Sequence, residues 1–196
     1  TGVQTCALPI WKIRFTQAMM PNFRNLRRQE TDFPRGYMVF FSAYRPGWTQ
    51  GDGTPGVGAA FKERITRPGP WRISMMMQGE TVPLRENHVR LSPDRKDPWG
   101  IPQLVTSIGY TDDDVRMVKD FLREGEAMLS AAGAKGIRTL DDKRNPGLDI
   151  HEMGGVRMGK DPKKSLLNRW NQLHACPNVY VTDGASMAST GVQNPS

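Results

Sequence analysis

The chain has 196 residues, enough for one domain with a real core, and 37% of them are hydrophobic. Its 20 glycines and 15 prolines point to a loop-rich globular piece rather than a bundle, and no stretch reaches the roughly 18 consecutive apolar residues of a membrane span. A net charge of +7 raises the question of nucleic acid, but the basic residues are dispersed among acids apart from two small clusters, Arg24/Arg27/Arg28 and Lys160/Lys163/Lys164.

No zinc-finger, helix-turn-helix or RNA-recognition signature accompanies those clusters, so no nucleic-acid partner is expected. A non-catalytic basic adaptor or nucleic-acid-binding domain stays as the second reading. Two cysteines, Cys6 and Cys176, give neither a disulfide framework nor a thiolate zinc site, and they leave the compartment open.

The chain opens on TGVQTCALPI, which shows no helical period, strand alternation or cap. Written as codons, it resembles a common sequencing adapter read as protein. Thr1–Ile10 is therefore expected to be an artefactual tag that packs against nothing, with the natural chain entered in mid-protein. An irregular basic stretch follows from Trp11 to Phe33. Tyr37–Tyr44 has the apolar run of a buried strand, closed by Pro46 and Gly47. GDGTPGVG, from Gly51 to Gly58, reads as a flexible loop and only weakly as a phosphate cradle, since neither the G-x-G-x-x-G nor the P-loop spacing is expected in it. AAFKERITRPG leaves room for a short helix that must stop near Pro68.

Three strands are expected next: Trp71–Gln78, Asn87–Leu91 ended by Pro93, and Leu104–Tyr110. The turns between them suggest antiparallel pairing in one sheet. Met75, Met76 and Met77 suit core filling better than a metal site. The clearest helix runs from Thr111 to Ala132. Thr111 can cap it, Asp112–Asp114 suit the positive end of its dipole, and Gly133 suits its C-terminal cap. Val115, Val118, Phe121, Leu122 and Leu129 form one apolar stripe, expected to lie across the sheet.

From Asp149 the text changes character. In DIHEMGGVRMGKDP, Gly155 stands where a zincin would have its second histidine, so a metal site is not expected. His151, followed by Gly154, Gly155 and Gly159, is a candidate base near neutral pH beside backbone that can approach a partner closely. Taken alone, it fits a structural histidine better. Further on, Asn178–Val181 reads as a strand entering a turn at Asp183 and Gly184. Asn194-Pro195 is a helix-start signal, whose N–H groups would suit an anion.

Together, HEMGGVRMG and DGASMASTGVQNPS resemble the glucose–methanol–choline (GMC) family of flavin-dependent oxidoreductases. The likeness is to the family's C-terminal domain and its bacterial sugar-dehydrogenase and pyranose-oxidase-like branch. It extends from about Trp71 to Ser196, and ENHVRLSPDRKDPWGIP resembles the family's substrate-domain strand pair. The resemblance implies an α+β fold: a mostly antiparallel sheet covered by a helix, plus a C-terminal segment belonging to the FAD-binding domain. It divides the chain into the tag (1–10), a partial substrate-binding domain (11–148) and a truncated catalytic, FAD-contacting segment (149–196).

The resemblance also implies FAD as cofactor and oxidation of the CH–OH group of a sugar or other small alcohol, with hydride passing to flavin N5. His151 would be the base and Asn194 the second catalytic residue, hydrogen-bonding the substrate oxygen. Asp183, Gly184, Asn194, Pro195 and Ser196 would contact the cofactor. Arg157 is expected to brace its loop rather than bind phosphate. The family's N-terminal βαβ unit, which holds the ADP half of FAD on a G-x-G-x-x-G turn, is expected to be absent, leaving the isolated piece inactive. The identity of the substrate and the electron acceptor stay open.

Overall fold

A computed structural model of the chain describes residues 4–5, 16–45, 56–66, 69–141, 146–147 and 151–193. The fold is α+β. It divides into two compact units, Thr1–Phe23 with Tyr37–Gln78, and Arg24–Gly36 with Gly79–Ser196. The boundary expected at 148/149 falls inside the second unit.

The first unit is built on a four-stranded sheet of β1 (Gln4–Thr5), β2 (Thr16–Phe23), β3 (Tyr37–Tyr44) and β4 (Arg72–Gly79), in that spatial order. β1 pairs antiparallel with β2, Gln4 opposite Met19 and Thr5 opposite Ala18. The expectation that Thr1–Ile10 packs against nothing is corrected to that extent. β2 was also unforeseen, lying in the stretch expected to be irregular. Pro21 hides it, because proline cannot donate to a ladder; here it sits at the register shift between Met20 and Phe23, where a donor is dispensable. β3 supplies the core of the unit, with Tyr37, Met38 and Val39 each 1% exposed and Phe23 tilted against Tyr37 at 5.5 Å.

Helix α1 (Gly58–Thr66) stops just before Pro68, as expected. Beyond it, the Arg45 guanidinium donates to the Gly69 carbonyl at 2.9 Å and lies over the Trp71 ring, fastening the start of β4 to the end of β3. Met76 is 56% exposed, so the methionine run is not core filling throughout. Gly51, Gly53 and Gly56 do stand at the G-x-G-x-x-G spacing, which corrects the expectation on the letter of the motif. Its setting is missing among the described residues. Gly51 and Gly53 lie outside the described residues, and β2, a described neighbour of β3, runs antiparallel to it, unlike the parallel βαβ unit in which the fingerprint is set.

In the second unit, β5 (His88–Lys96) and β6 (Pro102–Ser107) form a separate antiparallel pair. The single sheet expected from the three strands is thus two: β4 joins β2 and β3 instead. β5 does not end at Pro93. The buried Ser92 hydroxyl accepts from the N–H groups of Asp94 and Arg95 at 3.3 and 3.0 Å, which carries the strand through a register shift around the proline. At the hairpin end, Asp97 Oδ1 accepts from Trp99 and Ile101, both at 2.9 Å, and Gly100 takes a φ of 84°. At the open end, Asn87 exchanges two hydrogen bonds with the Gly109 backbone.

Helix α2 (Asp112–Ala131) begins in a capping box, in which Thr111 Oγ1 accepts from the Asp114 N–H while the Asp114 carboxylate takes the Thr111 N–H at 2.7 Å. It ends in a Schellman motif: Gly133 at φ 80° donates to Ser130, and Ala134 donates to Leu129. Its expected burial needs correcting. Val115, on the predicted stripe, is 45% exposed, and the buried positions are Met117, Asp120 and Gly125. What demonstrably meets α2 is the 24–36 segment rather than a sheet face. Arg24 donates to both oxygens of Asp120 at 2.8 and 3.1 Å and reaches Glu124 at 2.7 Å.

That segment is organised by one side chain. Arg24 and Asn25 both have left-handed backbone, φ 71° and 52°, a conformation asparagine tolerates better than most residues. The Asn25 amide donates to Thr31 Oγ1 and to the carbonyls of Phe33 and Arg35, and its oxygen accepts from Glu30 N–H. Phe33 closes the loop, 1% exposed.

Candidate active site

The two glycine-rich segments singled out in the sequence meet, and backbone holds them together. Val156 N–H donates to Ala185 O and Met158 N–H to Ser186 O, both at 2.9 Å. On its other side the first segment is tied to Leu167, which is fully buried. Gly159 N–H donates to Leu167 O at 2.8 Å, and Leu167 N–H donates back to Arg157 O at 3.3 Å. The 152–159 segment is thus an irregular run with one isolated bridge, Met158 to Leu167, tied on both sides.

Glycine is required where those backbones touch. A Cβ on Gly184 would lie 3.0 Å from both Glu152 O and Met153 Sδ, and one on Gly159 would lie 2.7 Å from Ser165 Cβ. Ser165 cannot easily yield, because its hydroxyl donates to Asp161 O and meets His174 Nε2, which itself sits 3.1 Å from Gly159 O.

His151 leads into this junction. Its backbone is left-handed, φ 72°, a region that residues other than glycine seldom enter although histidine does so more readily than most, and its Nε2 atom is withdrawn from solvent. Glu152, the next residue, supplies the carbonyl against Gly184. His151 therefore stands one residue from the contact with the Asp183–Gly184 turn, although 32 positions separate His151 from Asp183 in sequence. Asp183 is exposed and caps a single 3-10 turn, Gly184–Ser186, by accepting from Ala185 N–H at 3.0 Å. Gly184 is buried; the space its missing side chain leaves is taken by the His151 loop. Asn194, Pro195 and Ser196 lie outside the described residues. The run toward them is anchored, since Val192 is 3% exposed and the Ser189 hydroxyl donates to Glu80 Oε1 at 3.0 Å.

Arg157 braces its loop, as expected, by donating to Lys164 O at 2.9 Å. The expected strand Asn178–Val181 is reduced to one bridge, Tyr180 opposite Gln172. Side chains and turns do the remaining work there: Asn168 accepts from Trp170 N–H, and Val181 N–H donates to Asn171 O. A cleft of about 200 Å³ beside the junction is lined by Gly154, Gly155, Arg157, Lys163, Lys164 and Ser165, among others. Small-molecule sites usually measure roughly 300–1,000 Å³, so it cannot take a dinucleotide whole. Among the described residues no group of three His, Cys, Asp or Glu is placed to hold a metal, and no helix is long and apolar enough to cross a membrane.

The residues sequence reading missed here are Glu80, Ser189 and Met153. Only Met153 had a signal, its place inside the HEMGG run.

Comparison with known proteins places the region that contains this junction in a family. Residues 83–196 match the family described as GMC oxidoreductase. The chain is 33% identical over 125 residues to 2-methyl-1,2-propanediol dehydrogenase of Mycolicibacterium austroafricanum, covering 63% of this chain and 22% of that one. It is 31% identical over 148 residues to the gluconate 2-dehydrogenase flavoprotein of Pantoea cypripedii, covering 71% and 24%. With paromamine 6'-oxidase of Streptomyces fradiae it shares 38% over 115 residues, covering 58% and 20%. The matched region spans between a fifth and a quarter of each relative's length.

Proposed function

The chain belongs to the GMC oxidoreductase family, through its C-terminal domain, and from that premise we propose that it is the catalytic, substrate-side part of an FAD-dependent oxidoreductase acting on the CH–OH group of a sugar or other small alcohol. The observation that carries this is the stitching of the His151 loop to the Asp183–Gly184 turn by Val156 and Met158. The relatives' names support it: two are dehydrogenases, one an oxidase, and one is called a flavoprotein.

The residues present fit part of FAD. Asp183 is an exposed carboxylate with one oxygen committed to Ala185 N–H, so acceptor capacity remains. An acceptor of negative charge suits hydroxyl groups such as those of the ribityl chain and opposes phosphate. Gly184 serves by letting the His151 loop approach the turn. Residues 149–196 form the catalytic and cofactor-contacting segment, with Asn194 and Ser196 offering N–H groups to an anionic group and Pro195, which has none, setting the backbone for a helix start beside it. The ADP half is the task of a separate βαβ unit.

Bound FAD supplies the hydride acceptor. The chain's own residues prepare the alcohol. A carbinol carbon releases hydride readily only as its oxygen gains alkoxide character, so a base and an orienting group must meet at that oxygen. His151 takes the hydroxyl proton on an imidazole nitrogen kept from bulk water, and Asn194 hydrogen-bonds the oxygen.

The test is His151→Ala in the full-length protein with FAD bound. Anaerobic flavin reduction by substrate should slow by roughly 10²–10⁴-fold, the usual worth of a positioned general base. The flavin spectrum must persist, so that lost cofactor is not mistaken for lost chemistry. Reduction at the parent rate would place the base elsewhere.

A further inference from the structure

Glu80 has an arrangement that neither its strand nor its exposure explains. It follows β4, its side chain is 16% exposed, and its Oε1 atom is held from two directions. Arg35 NH1 lies 3.2 Å from it and the Ser189 hydroxyl donates to it at 3.0 Å, across 109 positions of sequence. The Glu80 N–H also donates to Gly36 O at 3.2 Å, so both its backbone and its carboxylate are fastened to the 35–36 corner. That corner is in turn fixed by Asn25, whose amide donates to Arg35 O at 2.7 Å. Ser189 is five positions before Asn194, with only Val192 buried between them.

We propose that Glu80 is a positioning residue for the segment that ends in Asn194. The carboxylate, oriented by Arg35, grips Ser189 and so fixes the start of the run 190–193 that leads in sequence to Asn194. The proposal rests on the role given to Asn194 above. It also gives the Asn25 loop a purpose: it is the fixed end of the tether. A hydrogen bond to a charged acceptor is stronger than one between neutral groups, and residues 187–193, which belong to no helix or strand, depend on such single ties.

The experiment uses the full-length flavoprotein and three variants, Ser189→Ala, Glu80→Ala and Glu80→Gln, with the Ser189→Ala/Glu80→Ala double. Amide hydrogen exchange across 187–193, measured without substrate, should quicken by roughly tenfold or more in both alanine variants. The limiting rate of flavin reduction should fall by about the same factor, with the half-saturating substrate concentration changed less than about twofold, because orientation rather than uniform binding is lost. Glu80→Gln keeps an acceptor for Ser189 and should recover most of the rate. The double variant should be no worse than the worse single, since both remove one bond.

Exchange and reduction at parent values in Ser189→Ala overturn the proposal, as does a double variant whose losses multiply. Should Glu80→Ala fail to fold, Ser189→Ala and Glu80→Gln decide. Quickened exchange with an unchanged reduction rate overturns the positioning role whether or not His151→Ala slows the same step, so the two readings fail separately.

Discussion

Replacing Gly184 by alanine probes the junction on which the functional reading depends. The added Cβ would stand 3.0 Å from Glu152 O, 3.0 Å from Met153 Sδ and 3.3 Å from Met153 Cε. Favourable contacts between heavy atoms of this kind lie near 3.5–4.0 Å. Met153 can swing away, being long and flexible. The Glu152 carbonyl cannot, because Val156 and Met158 pin the same segment to residues 185 and 186. The segment must therefore shift by some tenths of an ångström, and overpacking of this kind costs about 1–3 kcal/mol. At about 2–4 °C per kcal/mol for a domain of this size, the melting temperature should drop by roughly 2–12 °C. His151 adjoins the displaced carbonyl, so the flavin-reduction rate should fall as well, toward the roughly 100-fold that accompanies a 1 Å misplacement. Gly155→Ala is the control: its nearest neighbour would be Ala185 Cβ at 3.9 Å, an ordinary contact. It should be neutral or stabilising by up to about 1 kcal/mol, since alanine restricts the unfolded chain. Differential scanning calorimetry and stopped-flow reduction on both variants decide the matter. If Gly184→Ala melts with the parent, or Gly155→Ala is the more damaging, the two motif segments are not packed as described.

Asp120→Ala should destabilise the protein by about 2–3 kcal/mol in chemical denaturation, the lower end for breaking a buried ion pair, because Arg24 keeps Glu124 as a partner. A loss below about 0.5 kcal/mol would mean that the 24–36 segment does not depend on α2. Thr111→Ala removes the hydroxyl of the capping box and should cost about 1 kcal/mol, with amide exchange quickened in the first turn of α2 and not in its last.

The parts of the fold legible in the sequence were those decided by neighbours along the chain. Helix α2 begins at Thr111 and ends before Gly133 because capping box and Schellman motif are both complete within a few residues. α1 is bounded by Pro68 for the same reason. Pro93 was read as a stop, and a single side chain overrode it, since Ser92 carries β5 past it; Pro21, in a stretch read as irregular, lies inside β2 at a register shift. Sheet membership was not legible, because β4 finds its neighbour β3 across a stretch containing α1, and no local pattern names that partner. Nor could the face of α2 be read from hydrophobicity alone. Asp120 is buried there because Arg24, 96 positions away, satisfies it.

The same division holds at the site. The identities of His151, Asp183 and Gly184 stood out in the text, but what joins them is main-chain bonding, which leaves no compositional trace beyond the need for glycine. A histidine with φ 72° sits in a conformation that costs an L-residue about 1–2 kcal/mol. Such a cost persists only where the surroundings fix the backbone more strongly than the residue resists. Here the Glu152 carbonyl is packed against Gly184, Gly154 provides a second left-handed turn at φ 84°, and the chain is then captured by Ala185, Ser186 and Leu167. The left-handed placement fixes the direction in which the imidazole leaves the chain, as the base proposed above, which must meet one hydroxyl oxygen, would require.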